Sequence, residues 1–441
     1  MSWRQVKLGE LVDNFSVRAK DVGGADGLDF YGVSNEEGII KTKYAAEDKA
    51  EDYKIIEKGC FAYNPYRVNV GSIGLVSDDT RGLISPAYVI FKPKPESIIP
   101  ELLFKFLKSD EGLRQIIFYA RGTVRQALRF EDLCNIEISI PDYSEQQVLY
   151  NKLINSQKSS NVLDSELKNQ LSLVKKLRQQ LLQDAVQGKL VEQDPNDEPA
   201  SVLLKKIKAE KEKLIAEKKL KKEKELPPIK PEEIPFEIPD NWVWCRLGEI
   251  VNLVTSGSRD WAKYYSSEGD IFVRMGNLSR ESYSLRMDKI QYVKPPKNQE
   301  GNRTKLEADD ILISITGEVG NLGLIPKDFG EAYINQHTSL VRLNKAIVVK
   351  YICNLFLSKT LQEQFNAPQR GMKNSFRLSD IDYLLIPLPP FTEQNRIVEK
   401  LDELMQYCND LEGSIKESET QNEKLLQQVL REALRKDPVE A

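Results

Sequence analysis

Two short stretches of the chain gather side chains able to grip and read a polyanion. Arg121, Arg125, Gln126 and Arg129 cluster around Gly122, and Arg370, Lys373, Asn374 and Arg377 cluster around Gly371. Arg, Asn and Gln make bidentate contacts with guanine and adenine edges, and Arg and Lys also anchor phosphates. Arg67 and Asn69 in the first half of the chain, and Arg259, Lys263, Arg274 and Asn277 in the second, are further candidates for the same contacts. Any one of these is more often an ordinary surface residue. The weight lies in two basic loops at matching places.

Other chemistries have little support. The chain holds one histidine, His337, and five scattered cysteines, Cys60, Cys134, Cys245, Cys353 and Cys408, with no CxxC pair. That pattern argues for a reducing cytosol and against zinc or a disulfide framework. Asn64-Pro65-Tyr66 resembles part of the catalytic loop of amino-methyltransferases. The second proline is missing, however, and no glycine-rich strand–turn–helix is present to hold a methyl donor. The segment reads as a loop before a strand. No Walker motif appears, and the carboxylates lie on charged helices. The expectation is a binding protein, not an enzyme. A net charge of −4 counts mildly against a stand-alone nucleic-acid binder, unless acidic residues sit in helices or a partner supplies positive charge. No apolar run approaches the roughly 20 residues of a membrane span, and the N-terminus lacks a signal-peptide core. A cytoplasmic chain is expected.

The elements that would carry the basic loops recur. Lys7-Leu8-Gly9-Glu10 and Arg246-Leu247-Gly248-Glu249 open the two halves. Gly71-Ser72-Ile73-Gly74-Leu75-Val76 is echoed by Gly320-Asn321-Leu322-Gly323-Leu324-Ile325, each reading as strand–turn–strand. Strands are expected at 84–89 and 334–341, and one helix in each half, over 101–118 and 349–365. After each basic loop comes an apolar strand, then Pro141-Asp142-Tyr143-Ser144-Glu145-Gln146 or Pro389-Pro390-Phe391-Thr392-Glu393-Gln394. Ser144 and Thr392 suit the role of helix N-cap.

A long helix follows each motif. Leu149, Leu153, Ser156, Ser160, Leu163, Leu167, Gln170, Val174, Leu177 and Leu181 recur at alternating steps of four and three. Ile397, Leu401, Leu404, Cys408, Leu411, Ile415, Ser418, Asn422, Leu425 and Val429 repeat the pattern, each 248 residues beyond its counterpart. This is a coiled-coil seam, and the nearest partner for each helix is the other copy. Antiparallel pairing with Leu149 level with Val429 would set Ser160 against Ser418 and Ser156 against Asn422. Between the halves, Ser201–Leu226 reads as a solvated Lys/Glu helix with a thin stripe of Leu203, Ile207 and Leu214, and the prolines at 227–239 as a stiff extended linker.

The expected fold class is α/β: two tandem α/β domains, each followed by a long helix, the helices pairing as an antiparallel coiled coil with pseudo-twofold symmetry. The expected segments are 1–143 (first domain), 144–190 (first long helix), 191–240 (charged helix and linker), 241–391 (second domain) and 392–436 (second long helix). Two domains related in this way could read two half-sites on duplex DNA, unrelated in sequence because the domain surfaces differ.

The chain resembles the specificity subunits of type I restriction–modification enzymes over essentially its whole length. The resemblance rests on the duplicated Pro-x-x-Ser/Thr-Glu-Gln entry to each helix, on Leu-Leu-Gln-Asp-Ala-Val-Gln-Gly-Lys-Leu at 181–190, and on Ile-Pro-Asp-Asn-Trp-Val-Trp-x-Arg-Leu-Gly-Glu at 238–249. It implies that the two α/β domains, 1–143 and 241–391, are target-recognition domains and the long helices 144–190 and 392–436 spacer helices, with double-stranded DNA as ligand and two modification (methyltransferase) subunits and restriction subunits as partners. S-adenosylmethionine, ATP and Mg would be bound by those partners and no cofactor by this chain. It carries over no universal base-reading residues. The alternative is a coiled-coil adaptor that binds protein and not DNA.

Overall fold

A computed structural model describes residues 3–42, 47–121, 126–221, 225–295, 304–366 and 376–434. It comprises two compact units, Met1–Lys168 with Lys416–Ala441, and Asn169–Ile415. Both follow one plan. In the first, strand Trp3–Lys7 pairs antiparallel with Glu137–Pro141. A four-stranded sheet runs in the order Val12–Asn14, Val89–Pro93, Phe61–Tyr63, Ile73–Leu75, and a second in the order Gly38–Lys41, Asp29–Ser34, Gly82–Ile84, Lys54–Ile56. In the second unit, Val243–Arg246 pairs with Leu385–Leu388. Its sheets run Val251–Ser256, Thr338–Leu343, Ile311–Ser314, Leu322–Leu324 and Tyr265–Ser266, Gln291–Val293, Asp270–Val273, Ala332–Ile334. One parallel pair recurs in each second sheet, Asp29–Ser34 with Gly82–Ile84 and Asp270–Val273 with Ala332–Ile334.

The central strands are apolar on both faces because both faces are covered. Phe61 and Tyr63 join the cluster containing Leu102, Leu103 and Phe106 of the neighbouring helix, while Ala62 between them joins Ile84 and Ile56 of the second sheet. In the other unit Ile311 and Ile313 face Ile352 and Phe356, and Leu312 faces Ile334. The period-two alternation therefore divides each strand between a helical layer and a sheet layer.

Several expectations need correction. Each Gly-x-x-Gly echo holds one strand, not strand–turn–strand. Gly71 (φ +85°) and Gly320 (φ +88°) make the left-handed turn before it. Gly74 lies within its strand, where a Cβ would stand 2.8 Å from the Ile39 backbone nitrogen. The runs 84–89 and 334–341 each split, since Ser85–Tyr88 and Asn335–His337 turn the chain from one sheet to the other. Each single expected helix is two, Pro100–Lys108 with Asp110–Tyr119 and Val349–Leu357 with Lys359–Asn366. Ser109 and Ser358 sit at the breaks, their hydroxyls donating to Phe106 O (2.7 Å) and Leu355 O (2.6 Å).

The long helices are Tyr143–Val186 and Phe391–Leu434. They begin one residue before Ser144 and Thr392, so neither side chain is the cap. The Glu145 N–H donates to Asp142 O, and the Thr392 hydroxyl donates to the Asp197 carboxylate. Within each unit the helix segments run antiparallel. In the first, Val429 packs on the cluster holding Leu149 and Leu153, and Asn422 Nδ2 donates to Ser160 O at 3.0 Å. In the second, Leu182 and Val186 share a buried cluster with Ile397 and Leu401, and Arg178 pairs with Glu412 at 2.9 Å.

Asn422 thus meets Ser160, one helical turn beyond the Ser156 that the matched-polar register placed opposite it. The reason is visible in burial. The line through Leu153, Leu167 and Val174, and that through Leu401, Cys408, Ile415 and Asn422, are buried, whereas Leu163, Leu177, Leu411 and Leu425 are exposed by 44%, 44%, 50% and 61%. One seam position per heptad is central and the other drifts to the rim.

The charged segment is likewise shorter and less solvated than expected. Its helix is Ala200–Ala216, and Leu203, Leu204 and Ile207 are buried with Trp242, Leu247 and Ile250. The proline-rich stretch after it folds back on the same unit: Arg246 Nε donates to Pro227 O at 2.9 Å, and Arg246 pairs with Glu233 at 3.0 Å. It is a strap, not an extended linker.

Candidate nucleic-acid interface

In the first half, the basic loop is closed at its base by reciprocal backbone bonds between Arg121 and Ala127, 3.0 and 2.8 Å. One residue further on, the Leu128 N–H donates to Pro65 O at 3.0 Å. That bond brings the loop against Asn64-Pro65-Tyr66, which leaves the end of the central strand Phe61–Tyr63. A cleft of about 620 Å³ opens there, lined among others by Asn14, Lys54, Tyr66, Arg121, Arg129 and Glu131. Arg129 is exposed at the N-terminus of the short helix Phe130–Leu133. Lys54 is partly sunk into the wall, donating to Tyr88 O at 2.7 Å; burial, then the Arg18 charge, lowers its pKa.

Arg67 is exposed beside this cleft in sequence but does not line it, and Gln126 is exposed on the loop. Arg125 lies outside the described residues, as does the Asn69 side chain.

The second half repeats the anchoring bond. The Phe376 N–H donates to Ile315 O at 2.9 Å, so this basic loop also returns to the end of the central strand, Ile311–Ser314. Arg370, Lys373 and Asn374 lie outside the described residues; Arg377 is exposed at the N-terminus of the helix Leu378–Asp382. Arg259 and Lys263 are exposed, Lys263 Nζ standing 4.9 Å from the Tyr264 ring centroid. Arg274 lines a cleft of about 500 Å³ together with Arg286, Lys289, Asn335 and His337.

Asn277 is a correction. It borders the same cleft but is only 6% exposed, and its amide is spent on its own loop. Oδ1 accepts from the Arg274 N–H at 2.9 Å, and Nδ2 donates to Arg286 O at 2.8 Å. It shapes the loop that presents Arg274 and Arg286 and leaves no amide edge for a base.

The clefts also contain residues that were not among the DNA-contact candidates of the sequence. Asn14, Lys54 and Tyr66 are remote from Arg121 in the chain and meet it only through the fold. Asn335 and His337 carried a usable signal, a polar triplet interrupting an apolar run. The His337 ring lies between Thr316 Oγ1 and Gln336 Nε2, both at 2.8 Å. The Gln336 amide donates to Nε2, which places the ring proton on Nδ1 toward Thr316. No group of His, Cys, Asp and Glu with metal-binding geometry occurs among the described residues.

Comparison with known proteins gives a consistent result. The type I restriction modification DNA specificity domain matches residues 2–173 and 239–419. The type I restriction enzyme EcoAI specificity subunit of Escherichia coli is 38% identical over 251 residues, 54% of this chain and 41% of that protein. The EcoEI specificity subunit, also from E. coli, is 30% identical over 268 residues, 55% of this chain and 42% of that protein. The matches thus span about two fifths of the length of those two relatives. The EcoDI specificity subunit is 22% identical over 439 residues, 99% of this chain and 88% of that protein. Among solved structures, the HsdS subunit from Thermoanaerobacter tengcongensis superposes with a TM-score of 0.56 at 21% identity, covering 99% of this chain and 97% of that one. A chain from a structure concerned with complex assembly and conformational transition of the type I R-M system gives 0.62 at 20% identity, covering 98% and 97%. At these identities the structural likeness establishes the fold.

Proposed function

Because the chain belongs to the type I restriction modification DNA specificity family, we propose that it is the DNA-recognition subunit of such a system. Each half reads one part of a bipartite, asymmetric target in double-stranded DNA. The observation that carries this reading is the repeated anchoring of a basic loop to the end of the central strand, through Leu128 with Pro65 and Phe376 with Ile315. The scaffold bond is common to both halves, while the basic loops that carry it differ in sequence. Different loops on one scaffold suit two half-sites of unrelated sequence.

The chain supplies recognition and its partners the chemistry. Two modification subunits bring S-adenosylmethionine, and restriction subunits bring ATP and Mg. The exposed rim leucines support two equivalent docking places: Leu163 corresponds to Leu411 and Leu177 to Leu425, and each unit exposes one from each long helix. Among the described residues no helix is long and apolar enough to cross a membrane, in keeping with work in the cytoplasm beside DNA.

Sequencing of adenine methylation tests the proposal. DNA from cells carrying this chain with its neighbouring subunits is compared with DNA from cells lacking only this chain. A bipartite motif that disappears with the chain is the expected result. If no motif depends on it, either the system is silent or the chain is an adaptor, and a partner pull-down separates the two.

A further inference from the structure

We propose that Arg121 is the side chain with which the first half reads a guanine, and that Asp132 is the positioning residue that aims it; this rests on the DNA-recognition reading above. Arg121 is 79% exposed at its side chain, yet its Nε stands 2.8 Å from Oδ1 of Asp132 in an ion pair, and the Asp132 side chain is only 7% exposed. An exposed arginine ordinarily samples many rotamers. Here one end is fixed by a buried carboxylate, and the backbone beneath it is fixed by the pair of bonds to Ala127. With Nε engaged, the outer edge of the guanidinium still offers the two Nη groups. Paired donors on one edge match O6 and N7 of guanine in the major groove.

The second repeat supplies the contrast. Asp380 occupies the matching place, 248 residues on and third in the equivalent short helix. Its carboxylate accepts the Arg377 N–H at 3.0 Å, an ordinary helix-capping contact. In the first half the corresponding carboxylate turns to Arg121 instead.

The cleft holds an acceptor as well as donors: Glu131 lines it together with Lys54, Arg121 and Arg129. A carboxylate in the major groove can accept from N4 of cytosine, the partner of the guanine. A G·C pair is thus the complementary target.

The test uses the complete system in cells, with the methylation motif read for wild type, Arg121→Lys, Asp132→Asn and Asp132→Glu. Lysine keeps the charge and a phosphate contact but loses the fork. Arg121→Lys is expected to relax one G·C position of one half-site, discrimination there falling roughly ten- to hundredfold, with the other half-site and the gap unchanged. Asp132→Asn should relax the same position and Asp132→Glu restore part of it, which a merely structural role would not do. Full specificity in Arg121→Lys, or an even loss of methylation at every position, overturns the proposal while leaving the recognition reading intact. A wild-type system with no motif dependent on this chain removes both. Because Arg121 is exposed, its variant tests the idea without a folding defect.

Discussion

The Gln146 side chain accepts the backbone N–H of Ile99 at 2.9 Å, and 248 residues later Gln394 accepts that of Val348 at 3.0 Å. Both glutamines are fully buried. Their amide nitrogens donate to the prolines that open the two motifs, Gln146 to Pro141 O at 3.2 Å and Gln394 to Pro389 O at 2.9 Å. Ile99 and Val348 each precede the first residue of a domain helix. The glutamine of the duplicated motif therefore fastens the start of a long helix to the domain before it.

Replacing either glutamine should be costly. Gln146→Ala would leave the Ile99 N–H and the Pro141 carbonyl unpaired in a dry site, a loss of about 1–3 kcal/mol. Gln394→Ala should do the same in the other unit. Urea denaturation of the purified chain measures both, and a midpoint equal to wild type would show that the helix junction is held by other contacts.

Asn422 offers a second stability test, at the seam. It is 9% exposed and its amide donates to Ser160 O. Asn422→Ala should cost about 1 kcal/mol through the lost bond. Asn422→Leu should recover most of that loss by burying apolar surface, at the expense of a unique register. Thermal unfolding ranks the variants; an order with Ala at or above wild type would mean that the asparagine contributes nothing to pairing.

Asp197 predicts a pH dependence. Arg396 hydrogen-bonds its carboxylate at 2.7 Å and, with the Thr392 hydroxyl, outweighs the cost of burial and lowers its pKa. A carboxylate with a depressed folded pKa contributes stability above its unfolded value, near 3.9. That contribution is lost as pH falls through the folded value. Glu393 nearby has the opposite sign: burial raises its pKa, so its contribution improves as pH falls. Asp197→Asn should therefore lower stability at pH 7 by about 1–2 kcal/mol, Arg396 being partly solvated, and flatten the acid loss below about pH 4. Identical pH–stability curves for variant and wild type would count against the pair.

The repeat, the long helices and the order of landmarks were legible because each rests on local periodicity or on a motif printed twice. The register was not. The seam residues Leu163 and Leu411 look as good in sequence as Leu167 and Ile415, and only packing decides which are central. Asn277 looked like a base reader because its residue type suits that role; its burial comes from a turn closed by Arg274 and Arg286. Lys54 and Tyr66 reach Arg121 through strand order, which no spacing along the chain encodes. Asp132 carries no mark in the sequence, since a carboxylate before a leucine gives no sign of the guanidinium it will meet.

The paired substitutions Arg125→Ala with Arg129→Ala, and Lys373→Ala with Arg377→Ala, should weaken DNA binding while leaving assembly with partner subunits intact. If the lost contacts are to phosphates, the slope of log K against log salt should fall by about 0.9 per contact. Fluorescence anisotropy of the assembled complex across a salt series reads both quantities. Unchanged affinity at moderate salt would take these loops out of the interface.

The rim leucines predict how partners are counted. In the unit ending at Lys168, Leu163 and Leu425 are exposed; in the other, Leu177 and Leu411 are. Single exposed leucines are common on protein surfaces, but here they recur at equivalent heptad positions of both units, which offers each unit the same apolar contact for a partner. If each unit docks one modification subunit through its own pair, Leu163→Asp with Leu425→Asp should remove one and leave the second. Leu177→Asp with Leu411→Asp should remove the other, and all four changes together should remove both. Burying a carboxylate in an apolar contact without a partner costs several kcal/mol, enough to abolish micromolar binding. Mass photometry of the reconstituted complex resolves the steps, and circular dichroism checks that the helices persist. A full complement of subunits on the quadruple variant would place docking elsewhere on the chain.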